Sequence, residues 1–313
     1  MKTFIFSLML LIASIISLFV GVADISIADI IKGQDEGIFL IGISRIPRTI
    51  ALILAGIGMS ISGLIMQQLT QNKFVSPTTA GTLESAKLGL LSGLLLIPTA
   101  SEAVKMMVAF LFTFLSSLLF LNIIRKIRFR NLVLVPLIGL IFGGIINSIS
   151  TFLAIKRNML QDANSWLIGD FSGVLQGRYE LIYLSLPSIL ITYLYASRFT
   201  VIGLGKDFSK SLGLNYSMVM NIGLFCVSLT VSTVVITAGV IPFLGLIVPN
   251  IVSMIYGDNI RKTLPLVALT GAIFLVICDI IGRLVIFPYE VPIGIMVSVI
   301  GAGIFLMILL WKR

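Results

Sequence analysis

Two pairs of ionisable residues stand inside otherwise apolar stretches. Glu84 and Lys87 lie three apart in the run AGTLESAKLG, and Asp279 and Arg283 lie four apart further on. Either spacing puts both members on one face of a helix, where they can pair. A charge in hydrocarbon costs about 2.5–3.5 kcal/mol or more, so each such residue is a functional candidate. For Glu84 and Lys87 two readings stay open: a self-neutralising packing pair, or a pair lining a path across a membrane. Arg283, close to the end of its run, is expected to snorkel to the interface. Gln67 and Gln68, with Gln71 and Asn72, make a polar patch at the end of another run. Asn147 follows a Gly-Gly at 143–144, and an interhelical hydrogen bond is its simplest role.

Enzymatic chemistry finds no support. The chain has no histidine, which removes the commonest metal ligand and acid–base group. It has no HExxH, no Walker A motif and no hydrolytic constellation. No catalytic residue, metal set or cofactor site is therefore expected. ATP and magnesium, where they drive the process, belong to another subunit. Cys226 and Cys278 both fall in apolar runs and are expected to be free core thiols.

The elements that position these residues follow from composition. Of 313 residues 58% are hydrophobic and only 11% charged, with a mean hydropathy of +1.13. Soluble chains carry about 25% charged residues; the apolar excess here needs lipid to face. The runs are continuous rather than alternating, which favours a helical bundle over a barrel. The expectation is an all-α integral membrane protein, one domain over 1–313. Its ten spans are expected at 4–23, 47–68, 79–98, 103–123, 131–153, 181–197, 217–236, 239–256, 264–284 and 291–311. The first run could be a signal peptide, but it lacks a convincing cleavage site and reads as a retained helix.

Ten spans put both termini on one side, and the positive-inside rule chooses the cytoplasm. Thirteen of the 22 basic residues then fall inside with only Asp207 and Asp258, leaving +11 there and −1 outside. Glu84, Lys87 and Asp279 in the spans complete the net charge of +9. The surplus is topological and does not indicate nucleic acid. The cluster RKIRFR at 125–130 reads as an anchor to anionic lipid.

Two connections exceed a turn. The outer one, 154–180, carries Trp166 and Phe171 and suggests a short helix at the membrane interface. The inner one, 198–216, has Gly205 and Gly213 bracketing a potential short helix. It is either a solvated connection or a docking element for an inner-side partner.

Several segments resemble, in order and over essentially the whole chain, the FecCD-type permeases. These are SRIPRTIALILAGIGMSISGLIMQQLTQNKFVSPTTAG (44–81), SWLIGDFSG (165–173), LGKDFSKSLGL (204–214), the long stretch from GVIPFLGLIVPN to CDIIGR (239–283) and PYEVPIGIMVSVIGAGIFLMILL (288–310). The resemblance implies the membrane subunit of a type II ABC importer for iron–siderophores, haem or vitamin B12. It implies two such subunits, two cytoplasmic ATPases below and a substrate-binding protein above, in a bacterial cytoplasmic membrane. It implies ATPase coupling through Gly205, Lys206, Asp207, Ser209, Lys210, Leu212, Gly213 and Leu214. It also implies binding-protein docking on Arg45, Arg48 and Arg283, while Gln67, Gln68, Glu84, Lys87 and Asn147 remain pathway candidates. The wording QNKFVSPTTAGTLESAKLG is similar to the catecholate or mixed-ligand branch, which often pairs two different permeases. The chain departs from the family at Asn250 and Ser253, where His and Arg are common, and at Gly303 and Ile304, where Pro and Phe are frequent. The expected function is the permease of a ferric-siderophore importer. The same machine for haem or a corrinoid is the alternative. An ion-coupled secondary transporter is a remote one.

Overall fold

Each of the ten apolar runs forms a helix in the computed structural model, which describes residues 2–21, 39–126, 134–165 and 168–311. The helices are α1 (Lys2–Phe19), α2 (Ile46–Thr70, entered through a π turn at Ile41–Arg45), α3 (Thr82–Leu96), α4 (Glu102–Lys126), α5 (Leu134–Lys156), α6 (Leu160–Ser165), α7 (Ser185–Ile202), α8 (Lys206–Ser211), α9 (Tyr216–Ala238), α10 (Leu244–Tyr256), α11 (Ile260–Leu284) and α12 (Ile293–Trp311).

Among the described residues, seven stretches are long and apolar enough to cross a bilayer, so the expected count of ten is met only in part. Two of the ten runs form short helices, α3 with 15 residues and α10 with 13. At 13 residues, α10 reaches about 20 Å against a hydrocarbon core of about 30 Å. The physical reason is local. Part of each of these two runs is not α-helical: a 3-10 turn at Thr78–Ala80 and Gly81, at φ 73°, precede α3. Gly239 (φ 79°) and Phe243 (φ 61°) precede α10. Such backbone is tolerated at membrane depth only where protein covers it.

The cover comes from packing around α2. In the stretch Ile41–Thr70, 83% of the most apolar window is buried, against 11% for α1. Helices α7, α9, α10 and α11 surround α2, and α1 leans on α11. Lipid removes the hydrophobic drive between helices, so close approach of small residues must supply the packing. A Cβ placed at Gly56 would lie 2.6 Å from the Gly271 carbonyl oxygen of α11, and one at Gly63 would overlap the Gly245 carbonyl of α10. Hydroxyls add ties between helices, with Ser188 and Thr230 2.8 Å apart and Ser85 donating to Ser116 at 2.7 Å. Helix α5 packs chiefly on α3 and the turn before it, leaving Leu137, Leu140, Ile141 and Ile145 exposed.

Capping closes the elements in expected ways. The Asn215 side chain accepts from the Met218 N–H at 3.1 Å to start α9, and Asn259 does the same for α11. Both Cys226 and Cys278 are buried and free.

Candidate functional site

Three polar clusters lie along the bundle. The first is at the end bearing Arg48, just after Pro47 in the first turn of α2. Arg48 donates through Nε and Nη2 to Asp279 Oδ1, at 3.1 and 2.7 Å, and through Nη1 to Glu290 at 2.7 Å. The other oxygen of Asp279 accepts from Arg283. Arg283 also donates to the Ser17 carbonyl at 2.9 Å, the Ser17 hydroxyl at 2.6 Å and the Val20 carbonyl at 2.6 Å. Arg45 donates to the same Val20 carbonyl. One carboxylate thus holds two arginines and fastens the ends of α1, α2 and α11 together. The i,i+4 pairing of Asp279 with Arg283 is present. Snorkelling is not: Arg283 is only 2% exposed and turns inward to α1. Its surroundings supply acceptors that the aqueous interface would otherwise provide. Both Arg48 and Arg283 therefore face acids of their own chain.

The second cluster joins α3 to α5. Glu84 and Lys87 share a helix face but do not bridge each other. Lys87, 2% exposed, donates to Asn147 Oδ1 at 3.2 Å. Glu84 lies against Gly143, one helical turn before Asn147, and its Oε2 is buried with no hydrogen-bond partner. The small surface of Gly143 admits the carboxylate and the amide of Asn147 reaches the ammonium, so α5 draws the two side chains apart along its axis. Neither Glu84 nor Lys87 lines a cavity of about 420, 590 or 680 Å³. A cavity of about 420 Å³ at the Arg48 end is bordered by Leu90, Glu102, Lys105, Asp170 and Thr237. An apolar one of about 590 Å³ is bordered by Phe74, Thr78, Leu140, Phe243 and Phe305.

The third cluster is at the opposite end, with Lys2. Gly205 (φ 113°) and Gly213 (φ 75°) bracket α8 in backbone conformations that favour glycine. Ser209 faces inward and donates to the Val201 and Gly205 carbonyls at 3.1 and 2.6 Å. That anchor turns Leu204, Phe208 and Leu212, four apart, outward and exposed. Lys206, Asp207 and Lys210 are exposed beside them, and Leu214 closes the turn by donating its N–H to Ser209. Gln68 lies against Gly203, and Gln71 Nε2 is 3.5 Å from the Ile202 carbonyl. Gln67 is buried with its Nε2 unpartnered. This glutamine patch belongs spatially with the segment leading into α8, not with Glu84 and Lys87.

Sequence reasoning missed several partners. Ser17 and Glu290 carry no local signal of their role, since both act across long sequence separations. The same holds for Lys73, which pairs with Asp258 at 2.8 Å and whose carbonyl accepts from Asn250 at 2.9 Å. Phe171, expected at an interface, is buried in the core. Helix α6 occupies part of the 154–180 connection. Trp166 and positions 127–130 of the basic cluster lie outside the described residues.

A family model described as the FecCD transport family matches residues 9–312. The chain belongs to this family. It is 50% identical over 306 residues to the petrobactin import system permease protein YclN of Bacillus subtilis (strain 168), covering 98% of this chain and 97% of that protein. It is 48% identical over 267 residues to the ferric-anguibactin transport system permease protein FatD of Vibrio anguillarum (strain ATCC 68554 / 775), covering 85% of each. The fold superimposes with a TM-score of 0.84 and 25% identity on a solved structure described as a metal-chelate type ABC transporter in an inward-facing conformation, covering 100% of this chain and 99% of that one. The FecCD protein is thus a multi-pass transport permease and not a catalytic protein.

Proposed function

We propose that this FecCD permease is one of two membrane subunits of an ATP-driven importer that carries a ferric siderophore across the bacterial cytoplasmic membrane. Ferric petrobactin is the first cargo to test. The near-full-length similarity to a petrobactin permease supports that choice over anguibactin, where similarity spans less of the chain. Both relatives are named for petrobactin or ferric anguibactin rather than for haem or a corrinoid, which supports a siderophore cargo. A related but non-identical second permease is the favoured partner, both termini are cytoplasmic, and two cytoplasmic ATPases supply the energy.

The observation that carries the reading is the exposed knob on α8. Phe208 projects from a six-residue helix fixed by Ser209, Leu204 and Leu212 project from its two ends, and Lys206 and Lys210 are exposed beside them. A groove on an ATPase can grip such a knob and transmit its movement to α7 and α9, which α8 joins. At the other end, an extracytoplasmic binding protein docks around Arg45 and Arg48, while Arg283, expected to join them, is buried beneath and holds α1. Uptake of iron-55 bound to petrobactin, anguibactin, citrate, a hydroxamate or haem, in cells with and without this gene, tests the cargo. Loss confined to petrobactin supports the reading. Loss of haem uptake alone, or of none, sinks it.

A further inference from the structure

We propose that Glu290 is an internal substitute for a partner's carboxylate on Arg48, and that docking of the binding protein exchanges one for the other. This rests on the reading that the Arg48 end receives that protein. The geometry separates a permanent partner from a replaceable one. Asp279 has a side chain 1% exposed, accepts from Arg48 through Nε and Nη2, and is shared with Arg283. Glu290 takes only the outward Nη1, and its side chain is 25% exposed. Removing Asp279 would strand two buried arginines; moving Glu290 aside would open one nitrogen of a guanidinium that is already held in place. An incoming carboxylate then restores the same charge count, so exchange leaves no net buried charge behind.

The setting of Glu290 fits a protein partner. It follows the turn that leaves α11, where the Tyr289 N–H donates to the Ile286 carbonyl at 2.8 Å. Leu284, Val285, Ile286, Phe287 and Tyr289 are all 56–75% exposed. This apolar rim sits beside a single exchangeable ion pair. Apolar contacts that exclude water around a charged pair strengthen it. The surface therefore fits a protein that presents one carboxylate within an apolar patch. While Glu290 occupies Arg48, apparent affinity falls by the fraction of permease in which the arginine is open.

Binding of the ligand-free cognate binding protein to the complete transporter in nanodiscs provides the test, in wild type and in Glu290→Gln, Arg48→Gln and the double variant. Glutamine at 290 keeps the size and removes the competing charge, so affinity should rise about 2- to 5-fold at low salt. Arg48→Gln should weaken binding at least about tenfold, and Glu290→Gln should then add nothing. If Glu290→Gln leaves affinity unchanged or weakens it, the exchange is wrong whatever Arg48→Gln does. If Arg48→Gln binds like wild type, the docking reading itself fails. Glutamine is chosen at 48 because glutamate there would place three carboxylates together and unfold the site.

Discussion

Arg48 and Asp279, 231 positions apart in the chain, meet through two hydrogen bonds of 3.1 and 2.7 Å. The contact fixes the entry of the most buried helix, α2, to the end of α11, and through Arg283 it also fixes α1. A buried carboxylate that holds two guanidinium groups is a structural keystone before it is anything else. Asp279→Asn keeps the shape and removes the charge. Breaking a buried pair from one side costs about 3–5 kcal/mol. A large fall in the unfolding temperature of the purified protein is expected, with loss of membrane yield. An unchanged transition would show that the arginines find other partners.

Close helix crossings give a contrast within one residue type. Gly63→Ala should destabilise by about 1–3 kcal/mol, because the added methyl overlaps the Gly245 carbonyl and a packed core resists expansion. A Cβ at Gly144 or Gly303 meets nothing within 4 Å. Alanine at either should be neutral or gain up to about 1 kcal/mol of helix propensity. Thermal unfolding of the three variants side by side checks the order.

The second cluster makes a sign prediction. Lys87→Met leaves Glu84 buried without a nearby cation, and Glu84→Gln leaves Lys87 with Asn147 alone. The double variant should therefore be better folded than the sum of the single effects, with a coupling of about 1 kcal/mol or more. Additive losses in membrane yield and uptake would show that the two groups act independently.

Much of this was legible in the chain itself, for reasons that differ between elements. Hydropathy located a helix in each of the ten runs because each is continuously apolar and most end in glycine or a charged residue. It overcounted clear crossings because composition is blind to Gly81 and Phe243, whose positive φ angles shorten α3 and α10. Spacing found the i,i+4 partnership of Asp279 and Arg283, which is local. It could not find that Lys87 prefers Asn147, 60 residues away, or that Arg283 reaches Ser17 across 266. Local periodicity says which face a residue occupies; the neighbour on that face is set by how the helices pack. The segment around α8 was visible because glycine at both ends is a short-range feature, whereas the anchor made by Ser209 emerges only from the structure.

The knob on α8 yields a prediction about coupling. Gly213 has φ 75°, so a bulky substitution is strained whatever the space. Gly213→Leu should leave the protein in the membrane but uncouple ATP hydrolysis from transport. Basal hydrolysis by the assembled complex should lose its stimulation by the loaded binding protein. Normal stimulation together with normal uptake would place the ATPase contact elsewhere.

Import into proteoliposomes tests the central claim most directly. The complete complex, with both permeases and its ATPases, is reconstituted with ATP on the cytoplasmic side and binding protein loaded with iron-55 petrobactin on the other. Accumulation that requires ATP and the binding protein, and that falls at least about tenfold in Phe208→Ala, is the predicted result. Accumulation driven by an ion or proton gradient without ATP, undiminished in Phe208→Ala, would contradict it.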